Sequence, residues 1–227
     1  MLGSTAVLDA CVLVPVALAD TMLRVAEKGL YRPLWSDRIL REAQLAIEEI
    51  HPGITVDRRF DSMREAFSDA LVTGWEALEP RTQLPDRDDR HVVAAAVCGG
   101  ADAVNLADFP AAALGPLGRE AIHPDDFLLD QLDLSPPAVL QVIREQSART
   151  RNPQLTQRDL ASALGRAGIP RFADEVLRQM AGEAGWDERA GHRRGKRSTA
   201  GAGRSRVIVS GRPQSRQGCG RRFLASA

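Results

Sequence analysis

The chain opens on a short apolar run, Thr5-Ala6-Val7-Leu8, that ends on the carboxylate of Asp9, and Val12 to Ala19 continues as an apolar stretch of helical length. This pattern predicts a strand followed by a helix. Asp37 to Ile50 sets Ile39, Leu40, Ala43, Ile47 and Ile50 on one helical face, with Ser36 or Asp37 placed to cap it and His51-Pro52-Gly53 to end it. Asp57 to Val72 offers a second amphipathic face through Phe60, Met63, Ala66, Phe67 and Ala70, and Gly74 to Leu78 reads as a short strand. Asp88-Asp89 starts a helix that runs through Val97 and closes at Gly99-Gly100, where glycine is the usual stop. Ala101 to Val104 is the next strand, Phe109-Pro110 turns into a helix at Ala111 to Leu114, and Glu120-Ala121-Ile122 is the last strand. Strands alternating with helices predict an α/β domain with a parallel sheet covered on both faces.

After Pro136-Pro137 the periodicity is helical alone: Ala138 to Arg149, Thr156 to Gly165 and Arg171 to Ala184, with Thr156-Gln157-Arg158-Asp159 as a capping signal. Thr156 to Leu177, with Gly165 and Gly168 in the turn, has the outline of a helix-turn-helix, and two packed amphipathic helices account for it equally well. From Gly185 the chain is rich in Gly, Ser and Arg without periodicity, which predicts disorder. The expected organisation is a first domain over 1–134, a helical extension over 135–184 and a basic tail over 185–227.

Composition narrows the class. Of 227 residues, 44% are hydrophobic and 26% charged, which excludes a wholly disordered or collagen-like chain. Ala6 to Ala19 is already interrupted by Asp9 and Pro15, so no apolar run reaches membrane-spanning length. Met1-Leu2-Gly3 carries no basic flank, so no secretory signal is expected. Cys11, Cys98 and Cys219 are odd in number and far apart, which fits neither a disulfide framework nor a CxxC metal site; a reducing cytoplasm is the expected compartment. Cys11 and Cys98 lie among apolar neighbours and are expected as core thiols.

The formal net charge of zero conceals a division. Arg189 to the end holds 11 Lys/Arg and no Asp/Glu, against 30 of each sign in the whole chain, so the preceding body is acidic by 11 and the tail basic by 11. Clustered arginines bind nucleic acid nonspecifically by releasing counterions. The near absence of aromatic residues there, Phe223 apart, favours an end without such a role.

The candidate chemistry lies in carboxylates. Ligands gather at the carboxyl ends of parallel strands, which is where Asp9 falls; its bland reading is a cap for the following helix. Asp89 stands in line with Val92, Val93 and Ala96 at i+3, i+4 and i+7, so either a cation meets its charge or it serves the helix dipole. Glu42 lies at the edge of an apolar helix face, and Asn105 and Asp108 follow the strand at Ala101 to Val104. Asp86 and Asp88 read as solvated loop charges. Four such acids make a hard-oxygen cluster suited to Mg²⁺ or Mn²⁺ and unsuited to structural zinc. Metal ions so held activate water and neutralise charge on a phosphodiester, which points to nuclease or phosphatase chemistry.

Val7-Leu8-Asp9, Trp35-Ser36-Asp37-Arg38-Ile39-Leu40-Arg41-Glu42, Leu84-Pro85-Asp86-Arg87-Asp88-Asp89-Arg90-His91-Val92-Val93-Ala94-Ala95-Ala96 and Asn105-Leu106-Ala107-Asp108-Phe109-Pro110, in that order, resemble the PIN-domain ribonucleases, and among them the VapC-type toxins of bacterial toxin–antitoxin pairs that carry a helical C-terminal extension. The likeness covers roughly Thr5 to Leu132 and extends more weakly to about Gly182. It implies a three-layer α/β/α fold, a PIN-like nuclease domain over 1–134 and a metal-dependent endoribonuclease using Mg²⁺ or Mn²⁺. It places the family's acids on Asp9, Glu42, Asp89 and Asp108. Asp9, Asp89 and Asp108 hold metal in that reading, Glu42 positions the metal or the water, and Asn105, Arg90 and His91 are accessory. Cleavage by an activated water leaves a 5′-phosphate and a 3′-hydroxyl. The resemblance also implies an RNA substrate, a cognate antitoxin and a homodimer, with no membrane.

One segment departs from the family's pattern. Members usually carry a longer strand ending in Thr-x-Asn or Thr-x-Asp before Asp-Phe-Pro, whereas here Val104 runs straight into Asn105. A degenerate, non-catalytic PIN protein that binds antitoxin or RNA is therefore the alternative. A phosphatase with an Asp9 nucleophile needs a second acid two residues on, where this chain has Cys11. Arg90 either steers RNA or pairs with neighbouring acids, His91 either serves proton transfer or packs, and Tyr31 and Trp35 belong to the core or to a partner groove.

Overall fold

The computed structural model describes residues 4–82, 84, 86–105, 120–150 and 154–192. Its sheet is built around β1 (Ser4–Leu8), with β2 (Tyr31–Leu34) on one side and β3 (Ala103–Asn105) then β4 (Glu120–Ile122) on the other, all parallel. Val7 pairs with Leu34 on one flank and with Val104 on the other. Successive strand side chains point to opposite faces, yet Ala6, Val7 and Leu8 are all buried, so both faces of β1 are covered. The expected parallel α/β sheet is thus present in the described residues.

Elements that the apolar pattern alone left out are β2 and the helix α6 (Pro124–Leu134). β2 has four residues and a proline; Pro33 lacks an N–H and is tolerated because β2 lies at one end of the strand order. Tyr31 and Trp35 both join the core. The Tyr31 phenol donates to the Met22 carbonyl at 3.0 Å, its ring meets Phe127 edge-on at 4.9 Å, and burial pushes its proton affinity well up.

Several boundaries differ from expectation. The predicted helix over Val12 to Ala19 is two helices, α1 (Ala10–Leu13) and α2 (Val16–Glu27), broken at Pro15, the residue that precedes α2. α3 (Asp37–Ile50) is as expected, with the Ser36 hydroxyl accepting from the Ile39 N–H. α4 (Asp57–Ala66) stops before Val72, because the chain turns to lay Ala70 and Val72 against Trp35: Trp35 N–H donates to Ala70 at 3.0 Å and Val72 N–H to Trp35 at 2.8 Å. The strand predicted at Gly74 to Leu78 is instead a pair of 3₁₀ turns, Trp75–Ala77 and Glu79–Arg81, entered through Gly74 at φ 79°. α5 (Arg90–Cys98) is buried over His91 to Ala96, wider than the stripe seen in sequence. The expected helix at Ala111 to Leu114 lies outside the described residues.

The C-terminal helices are α6, α7 (Pro136–Arg149), α8 (Gln157–Arg166) and α9 (Pro170–His192). The capping signal at α8 is realised: Thr156 Oγ1 accepts from the Asp159 N–H at 3.1 Å while Asp159 Oδ2 accepts from the Thr156 N–H at 2.9 Å. Gly165 lies within α8 rather than in the turn; Gly168, at φ 95°, makes it. The helical backbone continues through His192, past Gly185 where loss of order was expected. One connected apolar core runs from Ala6 to Val176, so the extension packs into the core of the first 134 residues. No helix among the described residues is long and apolar enough to cross a membrane.

Candidate functional site

Asp9 follows β1 directly and its backbone is extended, so its carboxyl stands at the carboxyl end of the central strand as the N-cap of α1. The capping bond is long: Oδ2 accepts from the Cys11 N–H at 3.4 Å. Burial pushes the Asp9 carboxyl above the usual carboxylate range, and hydrogen bonds from the Cys11 side chain and the Ala10 and Cys11 backbone, with the nearby His91, offset this only in part. Both readings of Asp9 therefore meet: it caps a helix, and its charge is poorly compensated.

Glu42, in the second turn of α3, is half-buried and held from two sides. Its Oε1 accepts from Arg38 Nε at 3.0 Å, and its Oε2 lies 3.1 Å from His91 Nε2. Burial raises its proton affinity, but His91 and then Arg38 outweigh burial and hold the carboxyl below its ordinary range. Arg38 reaches on to Glu79, Nη1 to Oε1 at 2.8 Å. His91 is 1% exposed and its ring lies 6.0 Å from that of Trp75. His91 Nδ1 has no hydrogen-bond partner among the described residues.

Asp89 takes the N-cap position of α5, partly buried, with no capping hydrogen bond from its side chain. Arg90 is half-buried and its Nη2 reaches the Leu84 carbonyl at 3.4 Å. Asn105 ends β3, paired in register with Leu8 and Ile122, which sets it beside the end of β1. Asp108 lies outside the described residues.

Asp9, Glu42 and His91 are thus brought into one electrostatic neighbourhood by β1, α3 and α5. Among the described residues no three His, Cys, Asp or Glu side chains gather closely enough to hold a metal ion. Arg38, Trp75 and Glu79 went unnoticed in sequence. An Arg four residues before a Glu on one helix was the legible part; the contribution of the 3₁₀ segment was hidden by its reading as a strand. Cys11 and Cys98 are exposed, not core thiols: Cys11 lies on the outer side of a single helical turn whose Val12 and Leu13 face inward, and Cys98 ends α5 as it emerges. A separate cleft of about 480 Å³ between α6 and α9, lined by Asp126, Leu129, Asp130, Asp133, Arg171 and Glu175, contains none of the predicted site residues.

These features define an α/β protein with a buried carboxyl at the end of a central parallel strand and a helical C-terminal segment. Residues 124–178 match the VapC50 C-terminal domain. The chain is 45% identical over 93 residues to the protein named "Putative ribonuclease VapC50" of Mycobacterium tuberculosis (strain ATCC 25618 / H37Rv), an alignment covering 40% of this chain and 54% of that protein. The chain thus spans about half the length of the curated relative it matches. No solved structure matches. Both matches support the resemblance to VapC-type toxins carried by the motifs.

Proposed function

We propose that this chain is an endoribonuclease of the VapC type, with a PIN-like three-layer α/β/α arrangement, that hydrolyses RNA phosphodiester bonds with the help of Mg²⁺ or Mn²⁺. The observation that carries the reading is the buried Asp9 carboxyl at the carboxyl end of β1, where parallel sheets place their ligands. The relative's name as a ribonuclease supports it.

The donor chemistry suits a hard dication. Asp9 is a desolvated carboxylate with only weak hydrogen-bond compensation, the situation in which a nearby cation favours the ionised form. Asp9, Asp89 and Asp108 are the proposed ligands, with Asn105 beside them. Such an ion, when bound, activates water and neutralises charge on the phosphodiester. Glu42 is held ionised by His91 and Arg38 and acts as a fixed acceptor that orients water, rather than as a ligand free to swing inward. Arg90 is the proposed accessory cation for RNA. A cognate antitoxin, a homodimeric state and action in the cytoplasm complete the proposal.

A second reading, a non-catalytic relative that binds antitoxin or RNA, is favoured by two features. Glu42 is already held by Arg38 and His91, and β3 has only three residues before the segment holding Asp108. Cleavage of labelled total RNA by the purified chain, with Mg²⁺ or Mn²⁺ against EDTA and with Asp89→Asn alongside, separates the two. Discrete products that require both metal and Asp89 establish the nuclease. A folded chain that binds RNA and yields no metal-dependent product establishes the binder.

A further inference from the structure

Glu42 is a glutamate on a half-exposed helix face, and fixing such a side chain ordinarily costs rotamer freedom. A lone Arg38–Glu42 pair at i,i+4 contributes little and does not impose one geometry. The surroundings change that. The two carboxylate oxygens are held by different donors from different elements: Oε1 by Arg38 of α3, Oε2 by buried His91 of α5. The Arg38 guanidinium is anchored at its far end by Glu79, and the His91 ring is backed by Trp75. Both outer supports come from the segment Trp75–Arg81, which packs against α5.

We propose that Glu79 and Trp75, acting through Arg38 and His91, are positioning residues that fix the Glu42 carboxylate in a single orientation. The inference rests on the ribonuclease reading for its consequence in catalysis, and on the hydrogen-bond chain Glu79–Arg38–Glu42–His91 for its geometry. A carboxylate has about four lone-pair positions. Two are occupied here, so two remain with fixed direction to accept from a water or from substrate. The 3₁₀ segment is on this view part of the site, although it touches no reacting atom.

Glu79→Gln keeps the size of the side chain and removes the charge that anchors Arg38. The expected result is a fall in kcat of about tenfold, the lower end of what loss of an outer-shell partner costs, with KM for RNA within about twofold. In a Glu42→Gln background the same substitution causes no further loss, because its effect passes through Glu42. An equal fall in both backgrounds, or no fall in the wild type, overturns the proposal. Exchange of the Arg38 Nε and His91 Nε2 protons, followed by ¹⁵N NMR on the full chain, reads the same network without activity. Exchange of the Arg38 proton is expected to accelerate at least about tenfold in Glu79→Gln, and unchanged exchange overturns the positioning role. Absence of cleavage by the wild type sinks the ribonuclease reading, and the exchange measurement then still decides the network.

Discussion

Asp125 Oδ1 accepts from the Phe172 N–H at 2.7 Å and its Oδ2 from the Arg171 N–H at 3.2 Å, so a buried carboxylate in the first turn of α6 caps the N-terminus of α9. The first turn of any helix leaves four N–H groups without intrahelical partners, and a negative charge there also meets the favourable end of the helix dipole. This tie joins α6, within the stretch assigned to the first domain, to α9 of the extension: α6 supplies the cap that α9 needs.

Asp125→Ala leaves two N–H groups beside the core without a partner. Loss of bonds to a charged acceptor predicts a cost of about 2–3 kcal/mol. Chemical denaturation with the slope held constant measures it; a change below about 0.5 kcal/mol shows that water replaces the cap without loss.

Asp9 couples stability to function in the opposite direction. Its folded-state proton affinity is raised by burial above the ordinary 3.8, so between that value and the raised one the native chain binds more proton than the unfolded chain. Stability contributed by Asp9 is therefore greatest at low pH, declines as pH rises through that window, and at neutral pH the ionised carboxylate is a net cost. Asp9→Asn keeps a capping acceptor and removes the charge. It is expected to raise stability at pH 7 by on the order of 1 kcal/mol, read as a higher thermal midpoint, while abolishing RNA cleavage. Mg²⁺ or Mn²⁺ is expected to stabilise the wild type and not the variant. Thermal scans at several pH values with and without dication test each part, and a lower midpoint for the variant at pH 7 refutes it.

The alternation of strand and helix was legible because β1 is an apolar run ending on Asp9, α5 carries an apolar stripe closed by Gly99-Gly100, and α3 and α8 carry both helical periodicity and side-chain caps. β2 was not, since four residues containing Pro33 give no alternation; only pairing with Ser4 to Val7 makes them a strand. α6 announced itself weakly: His123-Pro124-Asp125-Asp126 puts proline at the first helical position and acids in the first turn, and the His123 ring accepts from the Asp125 N–H at 3.1 Å. For the site, Asp9, Glu42 and His91 were readable one by one, but their proximity depends on α3 and α5 meeting, which no local pattern encodes. Trp75 and Glu79 were hidden because the left-handed turn at Gly74 converts an apparent strand into 3₁₀ geometry.

Gly99 sits where α5 approaches β2 and the chain after α4. A Cβ built there meets Leu34 Cδ1 at 2.7 Å and Val72 Cγ2 at 2.8 Å. Val72 is stiff about χ1 and both side chains are buried, so neither withdraws freely. Gly99→Ala is expected to cost about 1–3 kcal/mol through overpacking, against the small gain a glycine-to-alanine change gives where space is open. Equilibrium unfolding measures the sign, and stabilisation contradicts the close approach.

The extension is tied to the first segment by a buried polar pair as well as by apolar packing. The Thr21 hydroxyl of α2 lies within donating distance of both Gln146 Oε1 of α7, at 2.8 Å, and the Ala17 carbonyl, at 2.9 Å, and Gln146 Nε2 donates to the same Ala17 carbonyl at 3.0 Å. Both side chains are buried, so removing one partner costs more than removing both. Thr21→Val leaves Gln146 Oε1 without its donor and is expected to cost about 1–3 kcal/mol. Adding Gln146→Leu to that variant replaces the orphaned amide with apolar surface and is expected to return part of the loss, which a double-mutant cycle detects as coupling of about 1 kcal/mol. Strictly additive losses mean that the amide finds another donor, and that apolar contact alone fastens α7 to α2.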